Sequence, residues 1–239
     1  MNGFAEKFYQ DFIAEDRWKF IVNGLKITLI VTVFALLIGV TIGVLVGIIR
    51  CAHDQQTGRE LNGFKKVMLD FLNGLCHIYL TVIRGTPVLV QLLIMYFIIL
   101  VSAKSKVLVA VLTFGINSGA YVAEIFRGGI MSVDKGQMEA GRSLGLSYVQ
   151  TMTKIILPQA FKAALPALVN ELITLLKETS ICGYIGLNEL TRGGDIIRGT
   201  TFDAFLPLIG VALIYLAIVL LISYLFSLVE RRLRKSDRH

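Results

Sequence analysis

The residues able to do chemistry in this 239-residue chain stand inside apolar runs. Asn117, Tyr121 and Glu124 follow the spacing i, i+4, i+7, which places them on one helix face. Glu171, Thr174 and Glu178 follow i, i+3, i+7, with Asn170 and Lys177 beside them. Polar groups at membrane depth are costly, so each either pairs with another buried group or lines a path for a polar solute. The two stripes are expected to line one cavity. The competing structural reading lets Lys177 and Glu178 form interhelical pairs and joins Glu124 to Arg127, three residues on. Glu171 is the leading candidate for solute contact, because Asn170 and Glu171 form the most isolated polar pair in their apolar stretch.

Catalytic chemistry finds no support. There is no H-E-x-x-H, no G-x-S-x-G and no G-x-x-x-x-G-K-[ST] phosphate loop. Cys51, Cys76 and Cys182 are odd in number and widely spaced, and read as small packing residues. His53, His77 and His239 are scattered, so no metal site is expected. The glycines from Gly39 to Gly47 lie inside an apolar run, where they suit close helix packing.

A polar stretch carries the most specific pattern. From Glu139 to Pro158 the chain reads E-A-G-R-S-L-G, nine residues, then I-I-L-P. Asp134 followed by Gln137 predicts a capping-box-like helix start, and Gly145 a left-handed stop about ten residues on. A helix that short needs a partner surface. Ala140 and Gly141 would leave one side without bulk for that partner, with Glu139 and Arg142 pairing across the rim. A second helix is predicted from Ser147, with Gln150 completing its cap, until Pro158 disfavours continuation.

The elements that position these residues follow from composition. With 55% hydrophobic and 17% charged residues, and several runs near the roughly 20 residues that span a hydrocarbon core, the chain reads as an all-α membrane protein. About five transmembrane helices are expected. Leu25 to Ile49, Val107 to Phe126, Leu165 to Gly186 and Phe205 to Val229 supply four. The region from Val67 to Val101 is interrupted at Arg84-Gly85-Thr86-Pro87, with Thr86 as N-cap and Pro87 as first helical residue. Pro87 to Val101 is read as the main crossing, and Val67 to Ile83 as a cytosolic-side helix or the lower part of one kinked span.

Three basic segments should share the cytosolic side. They are Arg50, Arg59, Lys65, Lys66 and Arg84; Arg127, Lys135, Arg142, Lys154 and Lys162; and the tail Arg231, Arg232, Arg234, Lys235 and Arg238, relieved only by Asp237. An odd number of crossings results, with the N-terminus outside. The expected organisation is an extracytoplasmic segment 1–23, a transmembrane domain 24–230 holding a cytosolic loop 131–162, and a basic cytosolic tail 231–239. The net charge of +7 reflects this topology and contact with anionic lipid, not nucleic acid. The first apolar run lacks a cleavage signal and reads as a retained span.

The 139–158 pattern closely matches the loop of ATP-binding-cassette importer permeases, usually written E-A-A, three residues, G, nine residues, I-x-L-P, with Gly141 in place of the second alanine. R-G-T-P-V-L-V-Q at Arg84 to Gln91, N-S-G-A-Y-V-A-E-I-F-R-G-G-I at Asn117 to Ile130, P-A-L-V-N-E-L-I-T-L-L-K-E-T-S at Pro166 to Ser180 and F-S-L-V-E-R-R-L at Phe226 to Leu233 resemble the permease subunits of polar amino-acid importers of the histidine, glutamine and arginine type. The resemblance runs from about Gly24 onward. It implies a type I importer permease fold in a bacterial inner membrane, with Glu139, Ala140, Gly141, Arg142, Gly145 and Pro158 in the ATPase-coupling loop. It also implies two ATPase subunits that bind ATP and magnesium, a second permease copy or sister permease, an external solute-binding protein, and no cofactor in this chain. For an amino acid, Lys177 or backbone amides would face the carboxylate, and Glu171 or Glu124 the ammonium. An ion-gradient-driven secondary transporter is the alternative, but it has no need of an ATPase-docking helix.

Overall fold

The computed structural model describes residues 2–54 and 63–236. Arg59, Asp237, Arg238 and His239 therefore lie outside the described residues. The described chain is helical: α1 (Asn2–Phe8), α2 (Trp18–Asp54), α3 (Gly63–Gly85), α4 (Val88–Ile94), α5 (Lys106–Met131), α6 (Lys135–Ser143), α7 (Tyr148–Thr151), α8 (Leu157–Glu178), α9 (Leu190–Thr201) and α10 (Phe205–Ser236). Among the described residues, four helices are long and apolar enough to cross a membrane: Trp18–Asp54, Gly63–Gly85, Lys106–Met131 and Phe205–Arg232. Helix α8 carries Lys162, Glu171, Lys177 and Glu178, which lower its apolarity, and it is not among these four.

The region 67–101 differs from expectation. Its span-length helix is α3, whose 23 residues reach about 34 Å. The stretch Val88–Ile99, within the expected main crossing, is a shorter apolar helix. Lys65 and Lys66 thus stand near one end of α3 and Arg84 near the other. The Thr86 hydroxyl donates to the Val82 carbonyl at 2.8 Å, a bond back to the preceding helix.

The helices divide between two compact units, the first comprising residues 1–35, 89–114 and 172–239, the second residues 36–88 and 115–171. In the first, Ile21, Leu190, Ile197 and Val211 form a core covered by Phe12, Leu25, Ile214 and Tyr215. Helix α9 starts here on Glu189, which is 1% exposed. Its carboxylate accepts from the backbone N–H of Arg192 and of Thr191, each at 2.7 Å, and from the Tyr215 hydroxyl at 3.3 Å. A Cβ at Gly24 would lie 2.6 Å from the Glu189 carbonyl oxygen, so α2 can pass this capped start only with glycine there.

In the second unit, α2 and α5 meet along small residues. Gly39 faces Ser118, Gly43 faces Val122 and Gly47 faces Phe126, with the would-be Cβ atoms 2.5–2.9 Å from those side chains. A glycine every fourth residue lets two backbones approach where lipid offers no hydrophobic drive to associate. Leu80, Ala120 and Ala123 pack with Val46, Tyr79 and Ile83 beside this seam, and the Tyr79 hydroxyl donates to the Ile116 carbonyl at 2.6 Å. Cys51 and Cys76 are buried in this unit and Cys182 in the other, all three as free thiols.

Candidate functional site

The polar loop folds as a helical hairpin. Helix α6 begins on Asp134, whose carboxylate accepts from the Gly136 N–H at 2.6 Å. It ends with Leu146 N–H donating to the Gly141 carbonyl at 3.1 Å and Gly145 N–H to the Arg142 carbonyl at 3.0 Å, while Gly145 takes φ +80°. These two bonds and the left-handed glycine make a Schellman stop. Ser147 and Gln150 then form a complete capping box for α7: Gln150 N–H donates to the Ser147 hydroxyl at 3.2 Å, and Ser147 N–H to Gln150 Oε1 at 2.8 Å.

Three expectations for this loop are corrected. Gly141 is buried and turns toward its own chain, since a Cβ there would lie 2.5 Å from Thr151 Cγ2 and 3.3 Å from Ile155 Cδ1. The outward face of α6 carries Glu139, Ala140 and Arg142 instead; no ion pair joins Glu139 to Arg142 among the described residues. Pro158 does not end the second helix. A π-helical turn at Met152–Ile156 feeds directly into α8, whose second residue is Pro158, so the widened turn sits where the proline enters the helix. Ile156 and Ala160 join Cys51 and Ile130 in a buried cluster that fixes the hairpin to α2 and α5. Leu144, Val149 and Phe161 remain exposed on it.

The polar stripes come together only in part. Asn117 is buried, and Ser118 beside it donates to Glu171 Oε1 at 2.7 Å, joining α5 to α8. Asn170, Thr174 and Lys177 are exposed, while Glu178 is half-buried. Glu124 turns elsewhere: it lies 3.5 Å from Arg84 of α3 and 4.0 Å from Arg127. Arg84 also sits 5.6 Å from the Tyr121 ring centroid.

A cleft of about 400 Å³ opens among α2, α3 and α5, lined by Arg50, His77, Leu80, Thr81, Arg84, Gly85 and Glu124. Of the two predicted stripes it takes only Glu124, and it takes no residue of α8. Arg50, His77 and Thr81 were not anticipated as site residues. Arg50 and Arg84 register in the sequence only as charges marking a membrane side, and a three-helix convergence leaves no fixed spacing to read.

Span-length helices with a capped hairpin on the connection between α5 and α8 suit a membrane permease subunit. The model for the inner membrane component of binding-protein-dependent transport systems matches residues 67–235, and the chain belongs to this family. It is 39% identical over 221 residues to the arginine transport system permease protein of Bacillus subtilis, covering 91% of this chain and 94% of the relative. It is 37% identical over 218 residues to the glutamine transport system permease protein of Escherichia coli, covering 90% and 93%. Among solved structures it resembles an amino acid ABC transporter crystallised with histidines, at 40% identity and TM-score 0.77, covering 90% of this chain and 94% of that one. It shares the fold of the inward-facing methionine ABC transporter at TM-score 0.76 and 20% identity, over 92% and 98% of the chains. The chain is thus the transmembrane subunit of an ABC transporter and not an ion-driven secondary transporter. It is a permease, not an enzyme, and its family works with separate ATPase and substrate-binding subunits.

Proposed function

We propose that this permease carries a polar amino acid inward, delivered by an extracytoplasmic solute-binding protein and driven by two ATPase subunits beneath it. The capped hairpin carries this reading: α6 is a rigid nine-residue helix fastened to the bundle and presenting Glu139, Ala140 and Arg142 outward. The named relatives, which include glutamine and arginine permeases, support the substrate class. A second permease copy or a sister permease completes the pathway. The N-terminus lies outside and the C-terminus inside.

Closure of the two ATPases brings their surfaces together and carries the docking helices with them. The Schellman stop and capping box make the hairpin stiff enough to pass that movement to α5 and α8, which opens the pathway outward to the loaded binding protein. Reopening returns it inward. ATP and magnesium belong to the ATPases, and this chain contributes the lever, in which Gly141 seats α6 on α7, Gly145 ends it and Pro158 opens the helix that enters the membrane. Asn117, Tyr121, Glu124, Asn170, Glu171, Thr174, Lys177 and Glu178 are the proposed pathway residues, with Glu171 positioned by Ser118. The segment 187–203 faces the binding protein.

Glu139→Lys inverts an exposed charge on the docking face, and Gly145→Pro breaks the helix stop. Both variants should insert in the membrane yet lose uptake of labelled glutamine or arginine when reconstituted with the ATPase and binding protein. Normal uptake by both would overturn the docking assignment.

A further inference from the structure

We propose that residues 4–20 form a strap seated in the headgroup layer of the outer leaflet, with Phe4, Phe8, Tyr9, Ile13 and Trp18 turned to lipid and the α9–α10 turn held on its other side. This rests on the topology proposed above, which puts the N-terminus outside, and adds what that segment does there. Every residue involved belongs to the first unit. The chain does not run straight from α1 into α2. After a π-helical turn at Tyr9–Ile13, Glu15 and Asp16 take φ +53° and +57°, left-handed values that residues other than glycine adopt at a cost, and the backbone bends there. Arg17 fastens the corner: its guanidinium donates to the Gln10 carbonyl at 2.5 Å and pairs with Glu15 at 2.9 Å.

One side of the strap meets the protein. Phe12 covers the core of Ile21, Leu190, Ile197 and Val211, Asp11 beside it is buried, and Lys7 reaches Asp203, between α9 and α10, at 3.5 Å. The other side is bare: Phe4, Phe8, Tyr9 and Ile13 are 46% to 65% exposed. That apolar face continues into the exposed Trp18, Phe20 and Val22 of α2. Past the Lys7–Asp203 pair it continues into Phe202 and Phe205, where Phe202 is 93% exposed and held at φ +57°. Both α2 and α10 are long and apolar enough to cross the membrane, so the strap extends the surface that two spans turn to lipid. The chemistry sets its depth. Aromatic rings settle at the membrane–water boundary, whereas the hydrocarbon core would reject Glu6, Gln10 and the ion pairs among them. A soluble partner is steered by charge, yet the three cations of the strap are already paired, Lys7 with Asp203, Arg17 with Glu15 and Lys19 with Asp16.

The test uses the complete complex with its ATPases in vesicles of phosphatidylethanolamine and phosphatidylglycerol. In a cysteine-free background, nitroxides are attached one at a time at Tyr9→Cys, Ile13→Cys and, as an aqueous reference, Thr200→Cys. Collisions with oxygen should exceed those with a water-soluble nickel chelate at positions 9 and 13, and the order should reverse at position 200. Trp18 is the only tryptophan of the chain, which gives an arm with the native cysteines. The emission that Trp18→Phe removes should be quenched more by lipids brominated near the top of the acyl chain than by lipids brominated near its end. Nickel-dominated collisions at positions 9 and 13 overturn the strap's seat, and their loss on adding the loaded binding protein would assign the face to that partner. Exclusion of both probes also overturns it, since protein would then cover the face, as does quenching of Trp18 by the deeper bromines alone or by neither. An impermeant thiol reagent at Glu6→Cys separates this from the topology. Labelling from outside with nickel-dominated collisions sinks the strap alone; labelling only from inside sinks the topology, and the seat in the outer leaflet falls with it.

Discussion

Glu171 shows how a single polar residue at membrane depth is settled by its neighbour. Its carboxylate is half-buried and accepts from the Ser118 hydroxyl across the contact of α5 with α8. Hydrogen bonds between membrane helices are worth about 1 kcal/mol, since the unfolded helices also find partners in the bilayer. Ser118→Ala should therefore destabilise the purified complex by about that amount, while Glu171→Gln, which keeps an acceptor, should cost less. Thermal unfolding of the two variants checks the order. A greater loss from Glu171→Gln would show that the carboxylate's charge, and not its bond to Ser118, holds it.

Among the elements, the hairpin of α6 and α7 explains the departure at Gly141. The resemblance leads one to expect alanine there, yet a Cβ would meet Thr151 at 2.5 Å. The branched Thr151 beneath occupies the space that the alanine methyl would need. Gly141→Ala alone should lift α6 off α7 and lower both stability and coupled uptake, by about 1 to 3 kcal/mol for an overpacked contact. Thr151→Ala should restore most of it, and the double-mutant cycle on melting temperature reads the coupling. Additive effects would place the strain elsewhere.

Helix α9 supplies the pH-sensitive element. Burial pushes the Glu189 carboxyl above its ordinary range, opposed by the N–H groups of Thr191 and Arg192 and by the Tyr215 hydroxyl. With the folded value raised above the unfolded one, its contribution is full below the unfolded pKa and is lost as pH rises through the folded value. Glu189→Gln should remove this slope from melting temperature against pH, while giving up one backbone acceptor at a cost of about 1 to 3 kcal/mol. An unchanged slope would assign the dependence to another group.

For the whole molecule, the outcome to test is which loops share a side. Among the described residues, four helices are long and apolar enough to cross, and with α8 as a fifth the number would be odd and the termini would lie on opposite sides. In a cysteine-free background, cysteines at Ser102 and Thr200 should react with an impermeant reagent from outside, and those at Gln137 and Ser236 should not. Labelling of Ser236 from outside would mean an even number of spans and that α4 crosses as well.

What the sequence determined by itself was whatever depends on composition and local geometry. Long apolar runs can only be spans, because backbone groups in lipid must bond within the segment. Gly145 and the Ser147–Gln150 pair announce their turns because the bonds that satisfy them close within three to six residues. The tertiary structure decided the rest. Gly141 turns inward because Thr151 sits opposite it, Pro158 continues a helix because a π-turn precedes it, and Arg84 joins Glu124 and Tyr121. The cleft draws Arg50, His77, Arg84 and Glu124 from three helices, so their proximity is a property of packing, and helix packing is set by shape across elements that no local pattern encodes.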